Sequence, residues 1–218
     1  MKSSAQMVGM KEKNLLEAVG ISKRFGRRQV LRSVGLQLRG GELVGIVGEN
    51  GSGKSTLLKI LVGLLRPTIG AVTVNARTGY CPQDILAFDR LTVRENFRYF
   101  ATAYGFNPYQ GSEGWVATMN DLLDRFHFKQ DEDSLVSNLS GGTKQKLNLS
   151  IALLCLPDLL ILDEPYAGFD WETYLCFWEY AEELRSQRKG ILMVSHFVYD
   201  RSKFDRLLEL KDGVLQCV

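Results

Sequence analysis

One short stretch constrains the fold of this chain more than any other: residues 48–56 read GENGSGKST. They fit the pattern G-x-x-x-x-G-K-[ST], in which a glycine-rich turn wraps its backbone N–H groups around a phosphate chain. An apolar run at residues 43–47 precedes the stretch, and a helical run at residues 56–62 follows it. The stretch therefore lies where a buried strand turns into a helix, which is the context that a phosphate-binding loop needs.

The residue types within this loop predict how it would hold a nucleotide. Glycine adopts positive φ without a steric penalty, so the backbone can curl with its N–H groups pointing inward. Lys54 is expected to reach the β- and γ-phosphates, and the Ser55 hydroxyl is expected to bind Mg²⁺. The loop residues predicted to bind nucleotide phosphate are Gly48, Glu49, Asn50, Gly51, Ser52, Gly53, Lys54, Ser55 and Thr56.

Composition excludes several classes of protein. Of the 218 residues, 45% are hydrophobic and 24% are charged, which is ordinary for a globular chain, and the net charge of +2 does not favour a nucleic-acid partner. The four cysteines form no C-x-x-C pair, which fits reduced thiols in a cytosolic protein better than a zinc site. No apolar run approaches the roughly 18 residues of a membrane span. Residues 1–14 are polar and are predicted to be a flexible tail.

The order of the predicted elements indicates an α/β fold. Residues 15–39 alternate as two strands around a turn at Gly26, and later strands alternate with helical runs. We expect a P-loop NTPase core with a mainly parallel sheet and helices on both of its faces, and an N-terminal antiparallel β part. Residues from about 84 to 138 are helical and aromatic, so they are predicted to form a helical lobe inserted into a domain of residues 15–218.

Polar side chains follow three of the predicted strands. Asp163 and Glu164 follow an apolar run, His196 follows another, and Gln83 follows a third. Parallel strands end at the same edge of a sheet, so these groups can converge beside residues 48–56. We expect Asp163 to hold Mg²⁺, Glu164 to activate water, and His196 and Gln83 to contact the γ-phosphate, the water or the metal. Asp163 and Glu164 alone could merely cap a loop. The phosphate-binding loop upstream favours a catalytic role for them instead.

A second turn of small residues, Ser140-Gly141-Gly142, precedes another helical run. Its N–H groups would form a second anion site at a helix start. One nucleotide cannot contact both turns if the helical lobe holds this one away from residues 48–56. A head-to-tail dimer solves the problem, because each nucleotide then lies between the first turn of one subunit and the second turn of the other.

Together these segments resemble the ATP-binding subunit of an ABC transporter, over about residues 15–218. The matching segments are residues 48–56 for Walker A, Gln83 for the Q-loop, Leu139, Ser140, Gly141, Gly142 and Thr143 for the signature, residues 159–165 for Walker B, Asp170 for the D-loop, His196 for the H-loop and Phe25 for the aromatic that stacks on adenine. Two positions depart from the common pattern. Thr143 stands where Gln is common, and Phe25 stands where Tyr is commoner; the signature serine and glycines and an aromatic ring face are kept.

The resemblance implies an ATPase that converts ATP and water into ADP and phosphate and thereby powers transport. It implies catalytic roles for Glu164, His196, Gln83 and Lys54, and Mg²⁺ binding by Ser55, Gln83 and Asp163. The implied partners are a second ATP-binding subunit, as a homodimer or a heterodimer through the Asp170 loop, and a separate transmembrane permease subunit. That permease would hold the chain on the inner, cytoplasmic face of the cell membrane.

Two other functions fit the same motifs. One is a soluble ABC-type ATPase that remodels a ribosome, DNA or a protein complex; such proteins usually carry two ATPase halves, a long coiled-coil insertion or a basic arm, and this sequence has none of these. The other is a regulatory module that binds nucleotide without transport, against which the intact Glu164 and His196 argue. Residues 79–83 and 91–96 resemble exporter-type subunits.

An excess of aromatic residues after Gln83 predicts where the permease would dock. The hypothesis is that a cytoplasmic helix of the permease lies in a groove lined by Phe88, Leu91, Phe97 and Tyr99. The sequence alone provides no account of Tyr166 and Trp171, which flank the Asp170 loop.

Overall fold

The computed structural model describes residues 14–106, 113–195 and 200–218. Its strands are β1 Asn14–Phe25, β2 Arg28–Arg39, β3 Leu43–Val47, β4 Ile69–Val74, β5 Thr78–Cys81, β6 Leu159–Asp163, β7 Gly190–Val194, β8 Arg206–Lys211 and β9 Val214–Cys217. Its α-helices are α1 Lys54–Leu61, α2 Val93–Ala103, α3 Glu113–Arg125, α4 Gly141–Leu154 and α5 Trp171–Ser186. Residues 1–13 of the predicted tail lie outside the described residues, and Asn14 already belongs to β1.

The central sheet has the strand order β5-β6-β7-β3-β8-β9. All neighbours pair in parallel except β8 and β9, which form an antiparallel hairpin. The prediction of a mainly parallel sheet is therefore confirmed. Because β3, β6 and β7 end beside one another, the segments that follow them leave the sheet at one edge.

Both faces of the central sheet are buried, and side chains alternate between two hydrophobic clusters. In β3, Leu43 joins the cluster built with α2, α3, α4 and α5, whereas Val44 and Ile46 join the cluster built with α1 and the N-terminal strands. This burial explains why β3, β6 and β7 read as continuous apolar runs rather than as alternating ones. Helices cover both faces, as the sequence predicts.

The smaller sheet is antiparallel, with the order β2-β1-β4. Residues 15–39 form the two predicted strands, and the chain turns between Phe25 and Arg28. β4 pairs with the other edge of β1, with Ala18 opposite Val72. This sheet holds Phe25, at the end of β1, near the phosphate-binding loop.

Helix α2 begins with a capping box. The Glu95 N–H donates to Thr92 Oγ1 at 3.1 Å, and the Thr92 N–H donates to Glu95 Oε2 at 2.8 Å. Val93, Phe97 and Ala101 of this helix are fully buried in the core. The expectation that Phe97 lines a docking groove is therefore wrong, because its side chain has no exposed surface.

The helical segment lies against the core through α4, and both α2 and α3 pack on that helix. The division of the chain into a core and an inserted lobe at residues 84–138 stays a prediction. Among the helices of the described residues, none is long and apolar enough to cross a membrane.

Candidate nucleotide-binding site

Half of the predicted site residues meet in one cleft of about 500 Å³ at the edge where β3 and β6 end. The cleft is lined by Phe25, Arg28, Val30, Asn50, Gly51, Gly53, Lys54, Ser55, Thr56, Gln83, Asp163 and Glu164. A second cleft, of about 360 Å³, lies on the other flank of the loop and is lined in part by Glu49, Ser52 and the β8–β9 turn. Its lining lacks Lys54, Gln83, Asp163 and Glu164. The first cleft is therefore the candidate for phosphate binding and catalysis. His196 lies outside the described residues.

Glycine is required at several positions of the loop between β3 and α1. Gly48 and Gly53 have φ values of 155° and 109°. A Cβ at Gly48 would stand 2.5 Å from the carbonyl oxygen of Leu210, and a Cβ at Gly53 would stand 2.9 Å from Val30 Cγ1. Any side chain at either position would therefore displace the loop from the strands that support it.

The start of α1 differs from the starts of three other helices. Helices α2, α4 and α5 are each capped by a side-chain oxygen, from Thr92, Ser140 and Asp170 respectively. The residue before α1 is Gly53, and no side chain caps that helix. The first N–H groups of a helix have no partner within it, and they carry the positive end of its dipole. The start of α1 is therefore suited to bind an anion.

Two further side chains of the loop indicate a phosphate site. Ser52 Oγ is buried and has no hydrogen-bond partner among the described residues. Lys54 is buried, with 6% of the residue exposed. Its ammonium group donates to the carbonyl oxygens of Gly48, at 2.6 Å, and Glu49, at 2.9 Å. These carbonyls hold the ammonium at the loop, where phosphate oxygens would be stronger acceptors. The donor set fits a nucleotide phosphate chain.

The pKa of Lys54 depends on its burial and on the nearby carboxylates of Glu164 and Asp163. Burial lowers the pKa of Lys54, while the nearby carboxylates of Glu164 and Asp163 act to raise it. Asp163 is 3% exposed at the end of β6. Carboxylate and hydroxyl oxygens are ligands that Mg²⁺ accepts, so Asp163 and Ser55 in the same cleft fit a magnesium ion bound beside phosphate.

Glu164 has a backbone conformation that is uncommon for a residue with a side chain. Its φ is 55°, and its N–H donates to the carbonyl oxygen of Val194 at 3.0 Å. Left-handed residues other than glycine carry a conformational cost, and they concentrate at functional sites. The turn directs the chain away from β6 immediately after Asp163, and Glu164 is less buried than Asp163.

The second small-residue turn lies outside the cleft. Ser140 caps α4 by accepting from the Thr143 N–H at 3.1 Å, and its hydroxyl lies 2.9 Å from Thr143 Oγ1. Ser140 and Gly141 are exposed. None of Ser140, Gly141 and Gly142 is among the described residues that line the phosphate cleft. The structure thus brings the first turn, Gln83 and the carboxylates together, and leaves the second turn facing solvent.

The Asp170 segment packs against that second turn. Asp170 caps α5 by accepting from the Thr173 N–H at 2.7 Å, and its other oxygen lies 3.7 Å from Lys146 Nζ of α4. The hydrogen bond from Thr173, helped by Lys146, lowers the pKa of Asp170. The segment and the start of α4 therefore form one continuous surface.

Sequence reasoning missed Asn148, a fully buried residue of α4. Its Nδ2 donates to the carbonyl oxygen of Pro82 at 2.8 Å, and its Oδ1 accepts from the Leu86 N–H at 3.1 Å. Asn148 thus holds the backbone on both sides of Gln83. The signal was an amide side chain within a run of apolar residues, since a buried polar group needs a partner.

The sequence profile described as ABC transporter matches residues 31–167, more than half of the chain. The chain belongs to the ABC transporter family. The ABC transporter ATP-binding protein NatA of Bacillus subtilis is 33% identical over 194 residues, which are 81% of this chain and 77% of NatA. The Nod factor export ATP-binding protein I of Burkholderia lata is 33% identical over 210 residues.

The ABC relatives differ in how much of their length this chain spans. It covers 66% of the Burkholderia lata protein. It covers 13% of the mouse ATP-binding cassette sub-family A member 9, to which it is 34% identical over 212 residues. The chain therefore spans less than two thirds of these two relatives.

Solved structures of ABC cassettes share the fold. A structure of the ATP-binding subunit of an ABC transporter superposes with a TM-score of 0.85 at 29% identity, covering 92% of this chain and 88% of that one. A dimeric bacterial ABC transporter cassette gives a TM-score of 0.84 at 23% identity, covering 92% and 96% of the two chains. At that identity the second comparison establishes the fold alone.

Proposed function

We propose that this ABC chain binds Mg·ATP in the cleft and hydrolyses it to ADP and phosphate. The observation that carries the proposal is the convergence of the phosphate loop, Gln83, Asp163 and Glu164 on one cleft. The uncapped start of α1 and the unpartnered Ser52 hydroxyl supply donors for phosphate oxygens. ATP is also the ligand stated in the names of the relatives.

Each side chain of the cleft has a proposed part in this reaction. Lys54 exchanges the carbonyls of Gly48 and Glu49 for the β- and γ-phosphate oxygens. Ser55 and Asp163, with Gln83 beside them, would hold Mg²⁺, which would supply positive charge next to the phosphate oxygens. Glu164 orients the attacking water and takes its proton. His196 is proposed to donate a hydrogen bond to the γ-phosphate or to hold the water and Glu164 in place.

The base is proposed to stack on Phe25. This ring lies at the mouth of the cleft and is 50% exposed, with Lys23 Nζ 5.0 Å from its centroid. An exposed aromatic face beside a phosphate site gains contact area when a purine covers it. The replacement of tyrosine by phenylalanine at this position removes a hydroxyl and keeps the stacking surface.

A second ATP-binding subunit is proposed to complete the site. Ser140, Gly141 and Gly142 lie at the start of α4, outside the cleft that holds Lys54. In a head-to-tail pair, this turn would cover the phosphates bound by the partner, with the Asp170 segment at the same interface. Thr143 stands near Ser140 and orients its hydroxyl, so the uncommon fifth residue is compatible with this role.

Transport is proposed as the work that hydrolysis drives, through a transmembrane subunit on whose cytoplasmic face the chain docks. Phe88 and Tyr99 are 43% and 51% exposed, and their rings meet edge to face at 4.7 Å. Together they form an aromatic patch a few residues after Gln83 in the sequence, suited to receive an apolar helix, and Leu91 is part-buried. The word export in the names of the Nod factor relatives supports an exporter.

The test is the Glu164→Gln variant with Mg²⁺ and ATP. Removing the proposed base without removing phosphate ligands should abolish most hydrolysis and accumulate an ATP-bound dimer, which size-exclusion chromatography detects. Glu179→Gln, at an exposed position on α5, is the matched control and should behave as wild type. A Glu164→Gln protein that stays monomeric with ATP would contradict the shared site, and undiminished hydrolysis would contradict the role of Glu164.

A further inference from the structure

Tyr166 joins the two chain segments that leave the sheet beside the proposed catalytic carboxylate. Its hydroxyl donates to Ser195 Oγ at 2.8 Å. Tyr166 follows Glu164 by two residues at the exit of β6, and Ser195 directly follows β7. Ser195 is 4% exposed, and its N–H donates to the carbonyl oxygen of Ile46 in β3 at 3.1 Å. The acceptor of the tyrosine hydroxyl is thus fixed to the central sheet.

The ring of Tyr166 is held from the opposite side by α5. It meets Tyr174 edge to face with centroids 5.5 Å apart, and Phe177 with centroids 5.9 Å apart. Trp178 lies 6.5 Å away. These partners lie on successive turns of one helix, so the ring packs against α5 through several aromatic contacts. Tyr166 therefore connects α5, through its ring, to the end of β7, through its hydroxyl.

Glu164 lies between two contacts that join the same pair of segments. On one side its own N–H donates to the Val194 carbonyl at 3.0 Å. On the other side is the Tyr166–Ser195 hydrogen bond. Glu164 itself has a φ of 55°, a conformation that the surroundings must enforce because it is unfavourable for a residue with a Cβ.

We propose that Tyr166 is a positioning residue, whose hydrogen bond to Ser195 keeps the Glu164 turn in the conformation that aims its carboxylate into the cleft. The inference rests on the proposed ATPase function and adds a residue to it. Tyr166 lines no part of the phosphate cleft among the described residues, so it acts through Glu164. Loss of its hydroxyl should lower the rate of hydrolysis and leave nucleotide binding unchanged.

The first test is Tyr166→Phe, which keeps the ring and its contacts with α5. We expect kcat to fall by about tenfold, since small displacements of a catalytic group have effects of that order, while KM for ATP stays within about twofold of wild type. Ser195→Ala should produce the same loss, and the double variant no further loss, because both substitutions remove one hydrogen bond. Tyr180→Phe, at a part-buried tyrosine of α5, is the matched control and should leave kcat unchanged.

The second test repeats Tyr166→Phe in the Glu164→Gln background. If Tyr166 acts through the carboxylate, the residual hydrolysis of Glu164→Gln should not fall again. An equal fractional loss in both backgrounds, or a wild-type kcat in Tyr166→Phe, would overturn the inference while leaving the ATPase in place. If the wild-type protein neither binds nor hydrolyses ATP, the proposed function fails, and this inference fails with it. Thermal unfolding of each variant detects a general loss of structure.

Discussion

The carbonyl oxygen of Gly168 lies so close to Gly142 that a Cβ on residue 142 would stand 2.7 Å from it. This contact joins the start of α4 to the loop that leads into Asp170. The two segments are also joined by the ion pair between Asp170 and Lys146, at 3.7 Å. The surface proposed to face a second subunit is therefore held together by a backbone contact that only glycine permits.

Gly142→Ala should destabilise the isolated chain. The added methyl group would press on a backbone carbonyl, which cannot rotate away, so we expect the free energy of unfolding to fall by about 1–3 kcal/mol. Gly141→Ala is the matched control, because a Cβ there would have no neighbour within 4 Å. Urea unfolding without nucleotide should separate the two variants; equal stabilities would contradict the close contact.

Asn148→Ala should also destabilise the chain. It leaves the Pro82 carbonyl and the Leu86 N–H without their buried partner, which costs about 1–3 kcal/mol. The substitution should lower ATP hydrolysis as well, since Gln83 lies between these two residues. Ser150→Ala provides the comparison: it is equally buried on α4, and its hydroxyl has no partner among the described residues. A smaller loss of unfolding free energy in Asn148→Ala than in Ser150→Ala would contradict the role given to the Asn148 hydrogen bonds.

The features that can be predicted from the sequence alone are local. Residues 48–56 form a contiguous motif between an apolar strand and a helix, and the Thr92–Glu95 capping box spans a single turn. Such features depend on neighbouring residues, so their spacing is visible in the chain. The parallel sheet could be predicted for the same reason, from continuous apolar runs separated by helical ones.

The parts that the sequence did not predict depend on distant contacts. Asn148 meets Pro82, which lies 66 residues away, and Tyr166 meets Ser195, which lies 29 residues away. No periodicity links such positions. Phe97 was misplaced for a related reason: an aromatic residue at helical spacing suits both a core and a docking surface, and only packing distinguishes the two.

Asp170 should make a pH-dependent contribution to stability. Its pKa is lowered in the folded chain by the hydrogen bond from the Thr173 N–H. The contribution is therefore fully present above the ordinary carboxyl pKa near 4 and is lost as the pH falls through the lower folded value. Asp170→Asn keeps a capping oxygen but cannot ionise, whereas Asp170→Ala also removes the cap, at a further cost of about 1 kcal/mol.

The pH-dependent contribution of Asp170 can be checked by measuring the unfolding free energy of these variants at several pH values. The stability difference between wild type and Asp170→Asn should be largest near pH 7 and shrink below pH 4. The difference between Asp170→Asn and Asp170→Ala should persist across that range, because it reflects the cap. A wild-type advantage over Asp170→Asn that stayed constant down to pH 2 would contradict the lowered pKa.

Phe88→Ala and Tyr99→Ala should separate hydrolysis from transport. Asn96 is fully buried and holds the Phe88 backbone from both sides, accepting from its N–H at 2.7 Å and donating to its carbonyl at 3.2 Å. The exposed rings therefore stand on a fixed segment, and their truncation should not disturb the phosphate cleft. ATP hydrolysis by the isolated chain should stay within about twofold of wild type, whereas the complex with the proposed membrane subunit should lose transport.

Leu64→Ala provides the control for these aromatic variants. Leu64 is 68% exposed, follows α1 and lines a groove with residues of β4 and β5, so its truncation removes exposed apolar surface outside the proposed patch. Co-purification with the membrane subunit should weaken for Phe88→Ala and Tyr99→Ala and stay at the wild-type level for Leu64→Ala. An aromatic residue docked near the centre of an interface contributes far more binding energy than a peripheral one. Transport that survives when Phe88 and Tyr99 are both replaced by Ala would therefore exclude this patch as the docking surface.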